Sequence, residues 1–214
     1  MSICEGEKTP LYYRSDISIR YIYPIYVVGK SGETMRSRAE SLEFALLGLL
    51  SQSDLHGYEM RKRLTAIFGP LRALSFSVLY PQLRRMTDAG LITQREVPRS
   101  SKSKRTRLVY SISEKGRNRF AGLTERSTPQ SWDDDNFEVH VAFFSPTSKR
   151  NRLRILEGRH RRLKDRAEIL RADLERSAIG LDKYLVEWRR HSLEIAEREI
   201  VWLENMINAE RKSS

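Results

Sequence analysis

Apolar residues in the first half of the chain recur at helical spacing. One helix is predicted over residues 41–50, which are rich in leucine. A second is predicted from the N-cap candidate Asp54 to Gly69, with an apolar stripe at Met60, Leu64, Ile67 and Phe68. A third is predicted from a cap at Ser75 to Gly90, with an inward stripe at Leu79, Leu83 and Met86. Three short helices therefore follow one another.

The hydrophobic period then changes from that of a helix to that of a strand. Residues 91–97 and 107–113 are predicted to be two strands, separated by a polar and basic turn. Ser113 is predicted to open a further helix that runs through residues 114–123. The order of three helices, a hairpin and a helix is typical of a winged helix-turn-helix.

The second half of the chain predicts two long helices. Residues 124–136 have the composition of a linker, and a short apolar segment follows. A long helix is predicted from the Ser145 and Pro146 pair to about Arg176, with a coiled-coil-like apolar seam. In the last helix, about 181–209, the apolar face is wider than one neighbouring helix covers, which implies a second subunit. The predicted dimerisation residues are Leu181, Leu185, Trp188, Ile195, Ile200, Trp202, Leu203 and Met206.

The predicted fold class is mainly α with a small β-hairpin wing. A winged helix-turn-helix domain (41–125) precedes a linker (126–137) and a C-terminal α-helical, coiled-coil-like dimerisation domain (138–214). Residues 1–40 are predicted to be an N-terminal extension. Either Met35 is the true start or residues 1–34 form a loosely attached arm; an ordered extra strand is the alternative.

The charge of the chain indicates a nucleic-acid partner. The formal net charge is +11, and residues 41–125 carry 15 Lys/Arg against 7 Asp/Glu. Cys4 is the single cysteine, which excludes an intramolecular disulfide and favours a reducing cytoplasm. We expect no membrane partner and no cofactor or metal, since there is no run of 18 apolar residues and no phosphate-binding loop or catalytic motif. An enzyme is not expected.

The candidate DNA contacts lie on the third helix and on the hairpin. A recognition helix enters the major groove through its N-terminal residues, where glutamine reads adenine and arginine reads guanine. The predicted contacts on this helix are Ser75, Ser77, Tyr80, Pro81, Gln82, Arg84 and Arg85. Those on the wing are Lys102, Lys104, Arg105 and Arg107. Tyr58 is predicted either to reach a phosphate or to pack beneath the recognition helix.

Three stretches resemble the PadR family of bacterial transcriptional regulators. They are LLGLLSQSDLHGYEMRKRL, LSFSVLYPQLRRMTDAGLI and RLVYSISEKGR. They contain an HGYE start to the second helix, an S-x-x-x-LYPxLxRxxxxGLI recognition helix and a Y-x-[LI]-[ST]-x-x-G turn, and together they cover about 85 residues. One departure is Met86, where leucine is more usual in the family.

The resemblance implies more than the residues alone. Members of the family are dimers that bind AT-rich inverted repeats in double-stranded DNA, and most are repressors. Some release DNA when a small aromatic or drug-like ligand binds. The chain is similar to the long members, which have a C-terminal helical domain. A non-specific architectural DNA-binding protein and a protein-interaction module remain the alternatives.

Other polar and aromatic residues have two interpretations each. The acidic run Asp133–Asp134–Asp135 is expected to be solvated rather than to bind a cation. His160 is expected to be packed or hydrogen-bonded rather than to sense pH. Glu199 is either an inter-subunit ion pair or an edge residue. Tyr184, Trp188 and Trp202 are expected to form dimer core rather than a pocket for an aromatic ligand.

Overall fold

The structure is a computed structural model that describes residues 31–69, 76–100, 103–134, 136–176 and 182–213. The side chains of residues 31–37, 76, 98–100 and 103–106 lie outside the description. Residues Arg36–Ser214 form one compact unit.

The helices and strands follow the predicted order. The helices are α1 (Ser31–Gln52), α2 (Gly57–Phe68), α3 (Phe76–Asp88), α4 (Glu114–Thr124), α5 (Phe137–Ala142), α6 (Lys149–Arg176) and α7 (Lys183–Lys212). The strands are β1 (Leu55–His56), β2 (Ile92–Ser100) and β3 (Ser103–Ile112), which form an antiparallel sheet in the order β1-β3-β2. The predicted fold class, mainly α with a β-hairpin wing and C-terminal helices, is confirmed.

The last helix of the winged helix-turn-helix begins where it was predicted to begin, whereas the first helix begins earlier than predicted. Ser113 caps α4 as predicted, because its Oγ accepts a hydrogen bond from the Gly116 N–H at 3.0 Å. At the other end α1 begins at Ser31, so residues 31–40 of the predicted extension are helical. Residues 1–30 lie outside the described ranges.

The start of α2 corrects the prediction for Asp54. Residues Leu55–His56 form a short strand that pairs with β3, so His56 is the N-cap of α2. Asp54 instead accepts a hydrogen bond from Arg95 of β2, with 3.1 Å between Arg95 Nη2 and Asp54 Oδ2, and the two side chains form an ion pair. Its carboxylate therefore ties the sheet to the chain before α2.

The long helix also begins later than predicted. α6 starts at Lys149, because the chain turns through 144–148 with a hydrogen bond from the Thr147 N–H to the Phe144 carbonyl at 3.0 Å. The Ser148 hydroxyl donates to Glu125 at 2.9 Å, which holds this turn near the end of α4.

Two hydrophobic cores are joined by α5. The first lies beneath α1–α4 and the sheet and includes the fully buried Leu46, Leu64, Leu79 and Leu83. The second lies between α6 and α7 and includes Ile155, Leu156 and Leu203. Val139 of α5 and Phe143, which follows the helix, belong to the first core, and Phe137 of α5 belongs to the second. This short helix therefore links the winged helix to the C-terminal helices.

The segment predicted to be a linker is folded. It contains a 3₁₀ helix (Pro129–Trp132) whose Trp132 ring packs so closely against Gly158 of α6 that a Cβ on this glycine would overlap it. Asp133 pairs with Arg162, and Asp134 pairs with Arg159. Both carboxylates keep contact with solvent, with 37% and 56% of their side chains exposed, and each is also held by an arginine of α6. Asp135 lies outside the described ranges.

Arg159 is a buried cation between the two long helices. Its Nε donates to Glu199 of α7 at 2.8 Å, another nitrogen donates to Asp134, and the guanidinium lies 5.3 Å from the centre of the Phe137 ring. Burial alone would lower the pKa of Arg159, but its bonds with Glu199 and Asp134 raise the pKa overall. Burial alone would raise the pKa of Asp134, but the charge of Arg159 lowers it overall. Glu199 therefore makes an intramolecular ion pair, which neither sequence interpretation foresaw.

Three further observations concern His160, metal binding and membrane-spanning helices. His160 is hydrogen-bonded, with 3.0 Å between its Nε2 and Glu204 Oε1, as expected. The described residues contain no group of His, Cys, Asp and Glu able to hold a metal ion. Of the helices in these ranges, none has both the length and the apolar character needed to cross a membrane.

Candidate nucleic-acid interface

The helix α3 has a buried face and an exposed face. Leu79, Leu83 and Met86 are at most 1% exposed and anchor the helix on the first core, as predicted. The exposed face carries Ser77, Tyr80, Pro81, Arg84 and Arg85. Two arginines and two hydroxyl groups thus lie on the surface of one helix, a suitable set for phosphate oxygens and guanine. Ser75 lies outside the described ranges.

Gln82 is not on the exposed face. It is 4% exposed, so the prediction that it contacts adenine is wrong for this conformation. The sequence contained the signal: Gln82 is three residues after Leu79 and four before Met86, which places it on the apolar stripe of the helix.

Pro81 is also in a different position from the one expected. A proline in the first turn would lose little, because the first N–H groups of a helix have no intrahelical acceptor. The helix begins at Phe76, so Pro81 lies in its interior and removes one intrahelical hydrogen bond.

Two tyrosines lie at the junction of α2 and α3. Tyr58, the second residue of α2, is 71% exposed. The Tyr80 hydroxyl lies over Gly57, the first residue of α2. Burial, and then the proximity of Tyr80, raises the pKa of the Tyr110 hydroxyl in β3. The exposed position of Tyr58 favours the phosphate-contact interpretation over packing beneath α3.

The wing is an antiparallel hairpin whose register shifts between Pro98 and Ser100. Ile92 pairs with Ile112 and Val97 pairs with Arg107, and the Arg107 side chain is exposed. Lys104 and Arg105 lie in β3 by their backbone, but their side chains lie outside the description, as does all of Lys102. His56, the first residue of the HGYE motif, lies against the sheet: its Nδ1 is 3.2 Å from the Leu108 carbonyl oxygen.

The predicted dimerisation residues of α7 separate into two groups. Trp188, Ile195 and Trp202 are 41–55% exposed and recur every seven residues, so they form one stripe. Tyr184 lies on the same stripe and is exposed. Ile200 and Leu203 are 8% and 0% exposed because they face α6, so they belong to the intramolecular core rather than to a surface.

The remaining predicted dimerisation residues are intermediate. Met206 is partly buried against the second core, and Leu185 is half-buried. Leu181 lies outside the described ranges. The part of the broad apolar face that α6 leaves uncovered is therefore the Tyr184–Trp188–Ile195–Trp202 stripe, hereafter the α7 stripe.

Three helices, a hairpin wing and a following helix, with cations on the exposed face of the third helix, define a winged helix-turn-helix DNA-binding protein. Residues 46–122 match the model of the transcriptional regulator PadR-like family. The match covers the winged helix and not the two long C-terminal helices, so the winged-helix part of the chain is similar to PadR-like transcriptional regulators.

The chain is also similar to individual proteins. The negative transcriptional regulator PadR of Bacillus subtilis (strain 168) is 25% identical over 181 residues, covering 78% of this chain and 95% of the relative. The crystal structure of Bacillus subtilis PadR in complex with operator DNA is 23% identical, with a TM-score of 0.40, and covers 79% of this chain and 98% of the other. The crystal structure of Bacillus subtilis PadR in complex with p-coumaric acid is 22% identical, with a TM-score of 0.35. The match covers 80% of this chain and 99% of the other.

Proposed function

We propose that this protein is a homodimeric repressor that binds an AT-rich inverted repeat through its two winged helices. The observation that carries the proposal is the exposed face of α3, where Tyr80, Arg84 and Arg85 project from a helix whose opposite face is anchored by Leu79, Leu83 and Met86. A helix held in this way keeps its polar face in a fixed orientation for the major groove.

The α7 stripe supports the homodimer. Within one chain, the exposed tryptophans and Ile195 expose a contiguous apolar surface that a soluble DNA-binding domain has no reason to keep in water. The seven-residue spacing suits packing against a second copy of the same helix. A two-fold dimer would present two α3 helices with opposite polarity, which matches an inverted repeat.

The proposal of repression rather than activation is carried over from the curated Bacillus subtilis relative, which is named a negative transcriptional regulator. Release from DNA by a small ligand is part of the same proposal and follows from the family resemblance. The predicted domain boundaries at 41–125 and 138–214 also remain part of it, with α5 as the connection between the two cores.

A gel-shift titration of the full chain tests the proposal. The probe is the DNA upstream of the protein's own coding sequence, with random duplex as competitor at near-physiological salt, since non-specific affinity falls steeply with salt. A discrete shifted band that resists the competitor supports a specific regulator. A band that the competitor removes, with no specific site found by genome-wide binding, favours the architectural alternative. Absence of any shift at low salt favours a protein-interaction module.

A further inference from the structure

An open cavity of about 400 Å³ lies beside the recognition helix, between its buried face and the edge of its exposed face. It is lined by Gln82, Arg85 and Met86 of α3, by Glu43 of α1, by Arg119 of α4, and by Leu91 after α3. Its volume is within the range of small-molecule sites. The cavity thus adjoins three helices of the winged helix, including the one proposed to read DNA.

Gln82 is the unusual residue of this cavity. It is 4% exposed, and its carboxamide has no hydrogen-bond partner among the described residues. Within the same part of the chain, no fully enclosed polar side-chain atom lacks a partner. The amide of Gln82 is therefore not fully enclosed, and Gln82 is part of the lining of the cavity. A buried amide without a protein partner is costly unless something else in the site bonds to it.

The glutamates around the cavity have ion-pair partners, but one of its arginines has none in the described ranges. Glu43 accepts from Arg119 at 2.8 Å, and Glu40 accepts from Arg119 at 3.4 Å and from Arg126. Arg85 has no ion-pair partner in the described ranges, so it leaves one positive charge at the mouth of the cavity. An anionic group is what Arg85 and the N–H₂ of Gln82 would both bind.

The rest of the lining is aliphatic. Met86 and Leu91 are buried, and Ala39 and Ala89 complete the apolar part; none of the described residues that line the cavity is aromatic. We propose that this cavity binds a small aliphatic monocarboxylate, with its carboxylate on Arg85 and Gln82 and its chain along Met86 and Leu91. Methionine and leucine adapt to a flexible chain more readily than to a flat ring.

A carboxylate bound in the cavity would weaken DNA binding through its contact with Arg85. This consequence rests on the proposed function, in which Arg85 contributes to the cationic face of α3. A carboxylate bound to Arg85 removes one cation from that face, so DNA affinity falls and the slope of log K against log salt decreases by about 0.9.

Isothermal titration calorimetry on the full chain tests the site, with octanoate as the probe and octanamide and benzoate as comparisons. Octanoate is expected to bind, octanamide to bind at least tenfold more weakly, and benzoate more weakly than octanoate. Arg85→Gln is expected to weaken octanoate binding at least tenfold. Arg84→Gln is the matched control, because it makes the same change in an exposed α3 residue outside the cavity and should leave octanoate affinity unchanged.

The proposal is overturned if octanoate does not bind, if Arg84→Gln and Arg85→Gln weaken it equally, or if octanamide binds as tightly. Tighter binding of benzoate would overturn the aliphatic assignment. Gln82→Met is a second variant that keeps the volume of the side chain and removes its amide; circular dichroism checks its fold, and unchanged octanoate affinity would also contradict the site.

The two proposals fail separately. A chain that binds its operator specifically but not octanoate disproves the cavity site and leaves the regulator intact. A chain that binds octanoate through Arg85 but shows no specific DNA complex disproves the proposed function alone.

Discussion

Gly57, the first residue of α2, lies against the hydroxyl end of Tyr80 in α3: a Cβ built on Gly57 would lie 3.1 Å from the Tyr80 hydroxyl oxygen. Gly57→Ala should therefore displace the Tyr80 ring by a few tenths of an ångström and weaken operator binding. The effect on stability should be small, because alanine is tolerated at the first position of a helix. Gel-shift affinity and thermal unfolding measure the two effects.

The control for this change is Gly122→Ala in α4, where a Cβ would meet nothing within 4 Å. It should stabilise the protein by about 0.5–1 kcal/mol, because glycine is unfavourable in a helix, and leave DNA affinity unchanged. Equal DNA affinities for the two variants would contradict a role for the Gly57–Tyr80 contact.

Arg84→Ala and Tyr80→Ala should each weaken operator binding without loss of the dimer. Arg84 is exposed on α3, so its loss should also reduce the slope of log K against log salt by about 0.9 if it contacts a phosphate. Titrations at several salt concentrations measure this slope, and sedimentation checks the dimer. Arg198→Ala, which removes an exposed arginine from α7, is the control. Wild-type affinity in both α3 variants would show that DNA binds elsewhere.

Ile195→Ser should weaken the homodimer, because Ile195 lies in the α7 stripe and is 48% exposed in one chain. Val201→Ser is a close match: Val201 is also β-branched, is 57% exposed and lies on α7 outside the stripe. Analytical ultracentrifugation over a range of concentrations should show dissociation of the first variant only. Dissociation of both, or of neither, would place the subunit contact on another surface.

Arg159→Met should destabilise the fold, because it leaves Glu199 and Asp134 without their buried cation. Both carboxylates keep some contact with solvent, so the expected loss is about 1–3 kcal/mol, below that of a fully buried pair. Arg162→Met, which removes a half-exposed partner of Asp133, should cost under about 1 kcal/mol. Denaturant unfolding of both variants measures the difference, and equal losses would mean that Arg159 does not hold α6 and α7 together.

His140 should make stability depend on pH. It is buried in α5, 5.0 Å between ring centres from Phe44, and burial, with the charge of Arg126, lowers its pKa from 6.5 to about 4. Since the unfolded chain takes up the proton first, the contribution is fully present above about pH 6.5 and is lost as the pH falls towards 4. The loss is of the order of 2–3 kcal/mol.

Unfolding of wild type and His140→Phe at pH 7.5 and pH 4.5 isolates this contribution, because other titrating groups act on both proteins. Phenylalanine can occupy the same aromatic cluster of Phe44, Phe120 and Phe143. The variant should lose less stability between the two pH values. An equal loss would mean that His140 is not the group responsible.

Local spacing accounts for most of the winged helix. The stripe of Leu79, Leu83 and Met86, the Ser113 cap and the two strands depend on residues a few positions apart, and the structure agrees with each. The same spacing placed Gln82 inside, but residue chemistry alone suggested an adenine contact. Where the periodicity of the helix and the chemistry of one residue disagreed, periodicity was the better guide.

The sequence by itself determined the order of elements, the basic character of the winged helix and the apolar face of α7, because these properties depend on neighbouring residues. Only the tertiary structure decided that Asp54 pairs with Arg95, that Glu199 pairs with Arg159 across 40 residues, and that Ile200 faces α6 while Ile195 faces solvent. Such pairings depend on which surfaces the long-range packing brings together, and no local period of the chain encodes that choice.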